Sequence, residues 1–327
     1  MAIISVSHLS KQYKTYQKEP GFFGSIKSLV ARKYQTIQAV KDVSFDITEG
    51  ELIGFIGPNG AGKTTTLKML SGLLYPSSGK VQVLGYTPFE RKKQFLKQIS
   101  LVMGQKNQLW WDLPPMETFL LNKEIYEVSQ EQFDQTLRDL VELLDIADIL
   151  KVQVRKLSLG QRMKCELVAA LLHNPKVLFL DEPTIGLDVV MQKKLREFIK
   201  AYNEKYKATI ILTSHYMGDV EALCKRVIII NHGTILFDGL LSHLVKKFAP
   251  YKLISVVFRE TPDQKKIEKL EGEIKEFQSG QLLLRVSQAK ANETIANLLK
   301  SFSIADITIE DPDIEDIIRD VFVKANE

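Results

Sequence analysis

The chain has 327 residues, 45% hydrophobic and 26% charged, with a formal net charge of +4. That is room for one large domain or two around a sizeable core, and a charge too small to argue for nucleic acid. No run approaches the 18–20 apolar residues of a membrane span. The start, "MAIISVSHLSKQYK", lacks the apolar centre and cleavage site of a signal peptide. The two cysteines, Cys165 and Cys224, have no metal-binding spacing and read as buried, reduced thiols.

In chain order, residues 3–9 alternate as a strand and 39–47 as a second. Between them, 20–37 form an insert. Phe22, Phe23, Ile26, Leu29, Val30, Tyr34 and Ile37 recur at helical spacing, opposite Lys27, Arg32, Lys33 and Gln35. A basic amphipathic helix of this kind either packs on its own sheet or docks on a membrane or membrane partner. The docking reading predicts that Phe22 and Phe23 are exposed in the isolated chain. Residues 51–57 are a nearly continuous apolar run ending in glycine, the pattern of a buried parallel strand. A helix over 63–74 and a strand over 79–86 follow. Residues 106–170 read as a helical subdomain. The strand "VLFLD" (177–181), a helix over 189–206, the strand "TIILTS" (209–214) and a hairpin turning at "NHG" complete an α/β core with a mostly parallel sheet. The pattern changes near Pro250. The order βαββαβ predicts a small ferredoxin-like appendage, which places the domains at 1–244 and 245–327.

"GPNGAGKTT" comprises Gly57, Pro58, Asn59, Gly60, Ala61, Gly62, Lys63, Thr64 and Thr65. It fits G-x-x-x-x-G-K-[ST] with the required strand before and helix after. Glycines let backbone N–H groups turn toward phosphates. Lys63 reaches the β- and γ-phosphates, and Thr64 offers a hydroxyl to Mg²⁺. At the end of a buried strand, Asp181 is placed to hold Mg²⁺ directly or through water, and Glu182 to polarise an attacking water. His215 and Gln105 follow other strands, at the carboxyl edge where open α/β sheets bind ligands. "LSLGQ" puts Ser158, Gly160 and Gln161 at a helix N-terminus, a second anion site in the same chain.

Together these motifs resemble the ATP-binding subunit of an ABC transporter over residues 1–240. The specificity lies in the order: an aromatic near the N-terminus, the phosphate loop, a glutamine loop, "LSLGQ", "LDEP" followed by "GLD", and a histidine after a buried strand. The resemblance implies why one chain has two anion sites. Such subunits pair head to tail, and the "LSLGQ" helix of one caps the ATP held by the other. It further implies that Tyr13 stacks on adenine, with Tyr16 or Tyr34 as alternatives. Gln105 would touch Mg²⁺ or the water and link the site to a membrane subunit. Ser158, Gly160 and Gln161 would meet the partner's ATP, Glu182 would be the general base, His215 would contact the γ-phosphate, and Asp188 would reach across the dimer. Leu159 departs from the usual LSGGQ, and a non-glycine residue fits there if its φ is negative.

The resemblance implies an Mg²⁺-dependent ATPase. Its partner is a second copy or a related ATPase subunit, together with integral membrane permease subunits at the cytoplasmic face of the membrane. The appendage is similar to the exporter branch, which moves small molecules or polymers. The alternative is a soluble ABC ATPase acting on ribosomes or nucleic acid. One cassette rather than two, and no long heptad tract, count against it, so no nucleic acid is expected.

Overall fold

The computed structural model describes residues 2–16, 34–104, 108–214, 216–260, 262–263, 267 and 270–324. The chain divides into two compact units, Met1–Gly239 and Leu240–Glu327.

The first unit holds two sheets. Strands β1 (Ala2–Tyr16), β2 (Tyr34–Thr48) and β4 (Ser78–Val83) pair antiparallel in the order β2-β1-β4. The second sheet takes β3 (Leu52–Ile56), β5 (Ile99–Met103), β6 (Val177–Asp181), β7 (Thr209–Thr213), β8 (Arg226–Asn231) and β9 (Thr234–Leu240). Their order is β5-β6-β7-β3-β8-β9, and β5, β6, β7, β3 and β8 run parallel. Strands β6 and β7 are buried at every residue, which is why they read as unbroken apolar runs. Strand β8 turns into β9 through His232 and Gly233, both left-handed (φ 46° and 81°), the two-residue hairpin that "NHG" predicts.

One core joins the sheets. Ile4, Val6, Phe45 and Ile47 from the antiparallel sheet pack with Ile53, Phe55, Phe179 and Ile211 from the parallel one. The rings of Phe45 and Phe55 lie 5.9 Å apart. Helix α1 (Lys63–Leu70) adds Leu67, Met69 and Leu70 to this core. A short helix α2 (Lys93–Leu96) precedes β5. The helical subdomain is α3 (Pro115–Tyr126), α4 (Gln130–Leu144) and α5 (Leu159–Leu171). Left-handed Glu127 and Asp145 close α3 and α4, and Ser129 caps α4 by accepting from Gln132 N at 3.2 Å. Helices α6 (Val189–Tyr206) and α7 (Met217–Leu223) flank β7 in sequence.

The insert differs from expectation where it is described. Tyr34 and Ile37, which match a helical face by spacing, belong to β2 and pair with Tyr16 and Tyr13 of β1. A long strand partner offers a ladder bond at each step, and that outweighs a local 3.6-residue periodicity. The rest of the insert, with Phe22 and Phe23, lies outside the described residues, as do Gln105 and His215.

The second unit is α8 (Leu241–Phe248), β10 (Tyr251–Phe258), β11 (Glu273–Gln278), β12 (Gln281–Ser287), α9 (Ala291–Ser301), β13 (Ile304–Glu310) and α10 (Ile314–Lys324). Its antiparallel sheet has the order β11-β12-β10-β13, the strand order of a ferredoxin-like unit. Ile254, Val256, Phe258, Leu282, Leu284 and Leu298 make a core of its own. The units part at Gly239–Leu240 rather than at 244–245, because α8 packs on α10 and so belongs with the second unit.

Candidate active site

The phosphate loop leaves β3 and enters α1 at Gly62, whose φ is 109°. A Cβ there would stand 2.5 Å from the Ala39 carbonyl oxygen, so both the turn and the closeness to β2 require glycine. Ala61 O accepts from Gly233 N at 3.0 Å, which ties the loop to the β8–β9 hairpin. The first turn of α1 has neither an acidic residue nor a side-chain cap, so its N–H groups and positive dipole end remain available to an anion.

Lys63 is 5% exposed. Its Nζ donates to Gly57 O at 2.6 Å and to Pro58 O at 3.1 Å. Burial pushes the ammonium pKa down, while Glu182 and Asp181 pull it back up. Asp181 ends β6 with both carboxylate oxygens engaged. Oδ2 accepts from Thr64 Oγ1 at 2.8 Å and Oδ1 from Thr213 Oγ1 at 2.7 Å. Thr213 in turn accepts from Glu182 N, at 3.0 Å on its hydroxyl and 3.1 Å on its carbonyl. Glu182 is left-handed, φ 55°. This reverses the chain at the sheet edge and is a rare conformation for a residue with a Cβ. Gly104, at the end of β5, donates to Asp181 O at 2.9 Å, and a Cβ on it would stand 2.2 Å from Glu182 O. Gly104, the last described residue of this segment, therefore lies directly beside the two acids.

The Thr64 and Asp181 oxygens suit Mg²⁺. Octahedral ligands about 2.0–2.1 Å from the ion stand about 2.9 Å apart along an edge, close to the 2.8 Å found between them.

A second constellation surrounds the start of α5. Ser158 and Gln161 form a reciprocal capping box: Ser158 Oγ accepts from Gln161 N at 3.2 Å, and Gln161 Oε1 accepts from Ser158 N at 3.0 Å. The Ser158 hydroxyl proton is left to donate elsewhere. Gln161 holds the turn together, a role the motif alone does not display. Leu159 is not among the positive-φ residues, so the departure from LSGGQ fits without backbone strain. Its side chain lies against Gly186, and Met191 lies against Gly160. Asp188 caps α6, with Oδ1 accepting from Met191 N at 2.9 Å. The "LSLGQ" turn and the "GLD" turn are thus in contact within one chain. Tyr13 sits on β1 with Lys11 Nζ 5.3 Å from its ring centre, and is 36% exposed.

Sequence reasoning missed Thr213, Thr184, Ser214, Asp219 and Arg196. The one available signal for the first four was their closeness to His215 and Glu182 in "LTSHYMGD" and "DEPT", and Arg196 lies in neither stretch.

The same α5 buries Glu166, whose Arg162 partner is 4.0 Å away. Burial pushes its carboxyl up to about 7, against the pull of the Gln108 backbone and Arg162. The folded chain therefore holds a proton that the unfolded chain releases near 4.5. The stability tied to this proton is full below that value and is lost as pH rises through 7, by about 3 kcal/mol at most. Glu166→Gln should melt progressively higher than the parent chain between pH 4.5 and 7, with a constant difference above pH 8. Parallel melting curves across that range would contradict the assignment. Burial moves His173 the other way, down to about 4, and that contribution cancels in the comparison. Both cysteines are buried, with the Cys165 thiol pushed up to about 12, and so are inert.

Residues 40–185 match the ABC transporter family, and residues 250–310 match the EvrA-like ABC transporter C-terminal domain. The ABC transporter ATP-binding protein NatA of Bacillus subtilis is 34% identical over 212 residues, which are 65% of this chain and 86% of NatA. The chain belongs to the ABC transporter ATP-binding proteins. Another member of that family, the bacitracin transport ATP-binding protein BcrA of Bacillus licheniformis, is 32% identical over 222 residues, 68% of this chain and 71% of BcrA. A solved ATP binding subunit of an ABC transporter superposes with a TM-score of 0.63 at 26% identity, covering 75% of this chain and 93% of that one. A dimeric post-hydrolysis structure of the cassette MJ0796 with ADP and Pi shares the fold, with a TM-score of 0.60 at 23% identity over 73% of this chain and 98% of its own. As an ATP-binding subunit of the ABC family, the chain is an ATPase. Among its described residues no helix is long and apolar enough to cross a membrane.

Proposed function

We propose that two copies of this chain, or one copy and a related subunit, hydrolyse ATP with Mg²⁺ in a head-to-tail pair, and so drive export through separate permease subunits at the cytoplasmic face of the membrane. The observation that carries the chemistry is the chain of contacts from Thr64 through Asp181 and Thr213 to the Glu182 backbone. The Lys63 ammonium and the first-turn N–H groups of α1 bind the phosphates. Thr64 and Asp181 hold Mg²⁺, which when bound neutralises phosphate charge. Glu182 accepts the proton of the attacking water. His215 and Gln105 orient the γ-phosphate and the water. Ser158 donates its hydroxyl proton to the ATP of the other copy, assisted by the N–H groups that open α5, and Asp188 meets that copy near the same phosphate. Tyr13 stacks on adenine.

The head-to-tail arrangement is tested by mixing. A Lys63→Ala chain and a Ser158→Arg chain are each inactive alone, and their heterodimer has one intact composite site. Recovery of about half the wild-type rate per heterodimer is expected if the sites act independently. No recovery with heterodimers verified would overturn independent sites built in trans.

An exposed apolar cluster supports a permease contact in the helical subdomain. Trp110, Trp111, Leu113, Leu120, Leu121 and Ile125 are all exposed. They follow residue 105 into the helical subdomain, and Arg162 of α5 stacks 5.7 Å over Trp111. Exposed tryptophans are effective interface anchors. Changing Trp110 and Trp111 to alanine should weaken co-purification with the permease at least about tenfold and leave ATP affinity unchanged. Recovery of ribosomes or DNA in place of membrane proteins would favour the soluble alternative.

A further inference from the structure

Asp219 lies in the first turn of α7 with its side chain fully buried. Three donors from three separate segments converge on it. Thr184 Oγ1 donates to Oδ2 at 2.6 Å, Ser214 Oγ donates to the same oxygen at 2.7 Å, and Arg196 Nη1 donates to Oδ1 at 3.1 Å. A buried carboxylate needs such partners, because an unpaired charge away from water is costly. The origin of the donors is the informative part. Thr184 is two residues beyond Glu182. Ser214 immediately precedes His215 in the sequence, and its oxygen also accepts from Tyr216 N at 3.0 Å, so the two residues that flank position 215 are bonded to each other. Arg196 is on α6, the helix that Asp188 caps.

We infer that Asp219 is a positioning residue for hydrolysis. It fixes the residues that flank position 215 relative to the segment carrying Glu182, and ties both to α6, which Asp188 caps. This rests on the reading that Glu182 and His215 act on the γ-phosphate and the water. One carboxylate oxygen shared by two hydroxyls holds the Glu182 and His215 segments at a set separation. The guanidinium on the other oxygen couples that separation to the helix beneath the inter-subunit turn. Misplacement of a reacting group by about 1 Å can cost about 100-fold in rate, so the role belongs to turnover rather than to ATP affinity.

The test is a double-mutant cycle on the full chain. Asp219→Asn keeps the shape but leaves one acceptor oxygen where two had served. Ser214→Ala leaves the carboxylate in place, removes the Ser214 link to it together with the acceptor for Tyr216 N, and serves as the second variant, should Asp219→Asn fold poorly. Each is measured alone and with His215→Ala, reading kcat, KM for ATP, nucleotide affinity and melting temperature. The expected result for Asp219→Asn is a kcat lowered about 10- to 100-fold with KM and affinity within about threefold. Ser214→Ala should show a smaller loss of the same kind. In the His215→Ala background each should cost less than about twofold further, because a group that acts through position 215 has nothing left to position. Equal fold losses in both backgrounds would overturn the inference and leave the roles of Glu182 and His215 standing. Unchanged kcat in both single variants would overturn it as well. Wild-type turnover in His215→Ala alone would overturn the underlying reading of His215, and that result is read from a chain with residue 219 intact.

Discussion

Lys63→Ala should lose ATP binding at concentrations that saturate the parent chain, with its melting temperature nearly unchanged. The ammonium is almost fully desolvated and held by the Gly57 and Pro58 carbonyls. Burial works against its charge, and the nearby Asp181 and Glu182 only partly offset that. Removing the ammonium relieves that burial, which offsets part of the loss of its two carbonyl contacts. For the nucleotide the balance reverses. Charge-assisted hydrogen bonds contribute about 1.5–3 kcal/mol each, so two lost phosphate contacts weaken binding by roughly 100-fold or more. Fluorescent-nucleotide titration and thermal unfolding of the same sample measure both. Affinity within about threefold of the parent chain would remove Lys63 from the phosphate site.

Glu182→Gln should bind ATP normally and cease to turn over, with kcat lower by about 100- to 10,000-fold, the range a general base supplies. The amide is nearly isosteric, and the backbone is held from outside the side chain by the Thr213 carbonyl and hydroxyl. The left-handed turn at this position should therefore persist. What disappears is the capacity to take a proton from water. An ATP-bound pair that cannot hydrolyse should accumulate, visible as a dimer by size-exclusion chromatography with ATP and as a monomer without it. Near-normal turnover in Glu182→Gln would reassign the base. A fall in ATP affinity with no dimer would point to a role in binding.

The sequence by itself determined the parts of this chain that obey a local rule. Apolar runs marked β3, β6 and β7 because a strand buried on both faces has no polar side to show. The phosphate loop was legible because its glycines, lysine and threonine answer a need of the backbone within nine residues. "SLGQ" was legible as a helix start because the stretch after it, "MKCELVAALL", reads as a helix, whereas the capping box that closes the turn came from the structure. Tertiary structure decided everything that joins distant residues. No local pattern states that β3 lies between β7 and β8. Nor does one state that Thr213 closes on Asp181 and Asp219 on Thr184, contacts that span 32 and 35 residues. The reassignment of Tyr34 and Ile37 from a helical face to β2 has the same cause. Periodicity is a property of one segment, whereas a ladder of hydrogen bonds is a property of two, and β1 supplies the second. Pairing energy of that kind exists only once the chain has folded back on itself, so it leaves no mark in either segment read alone.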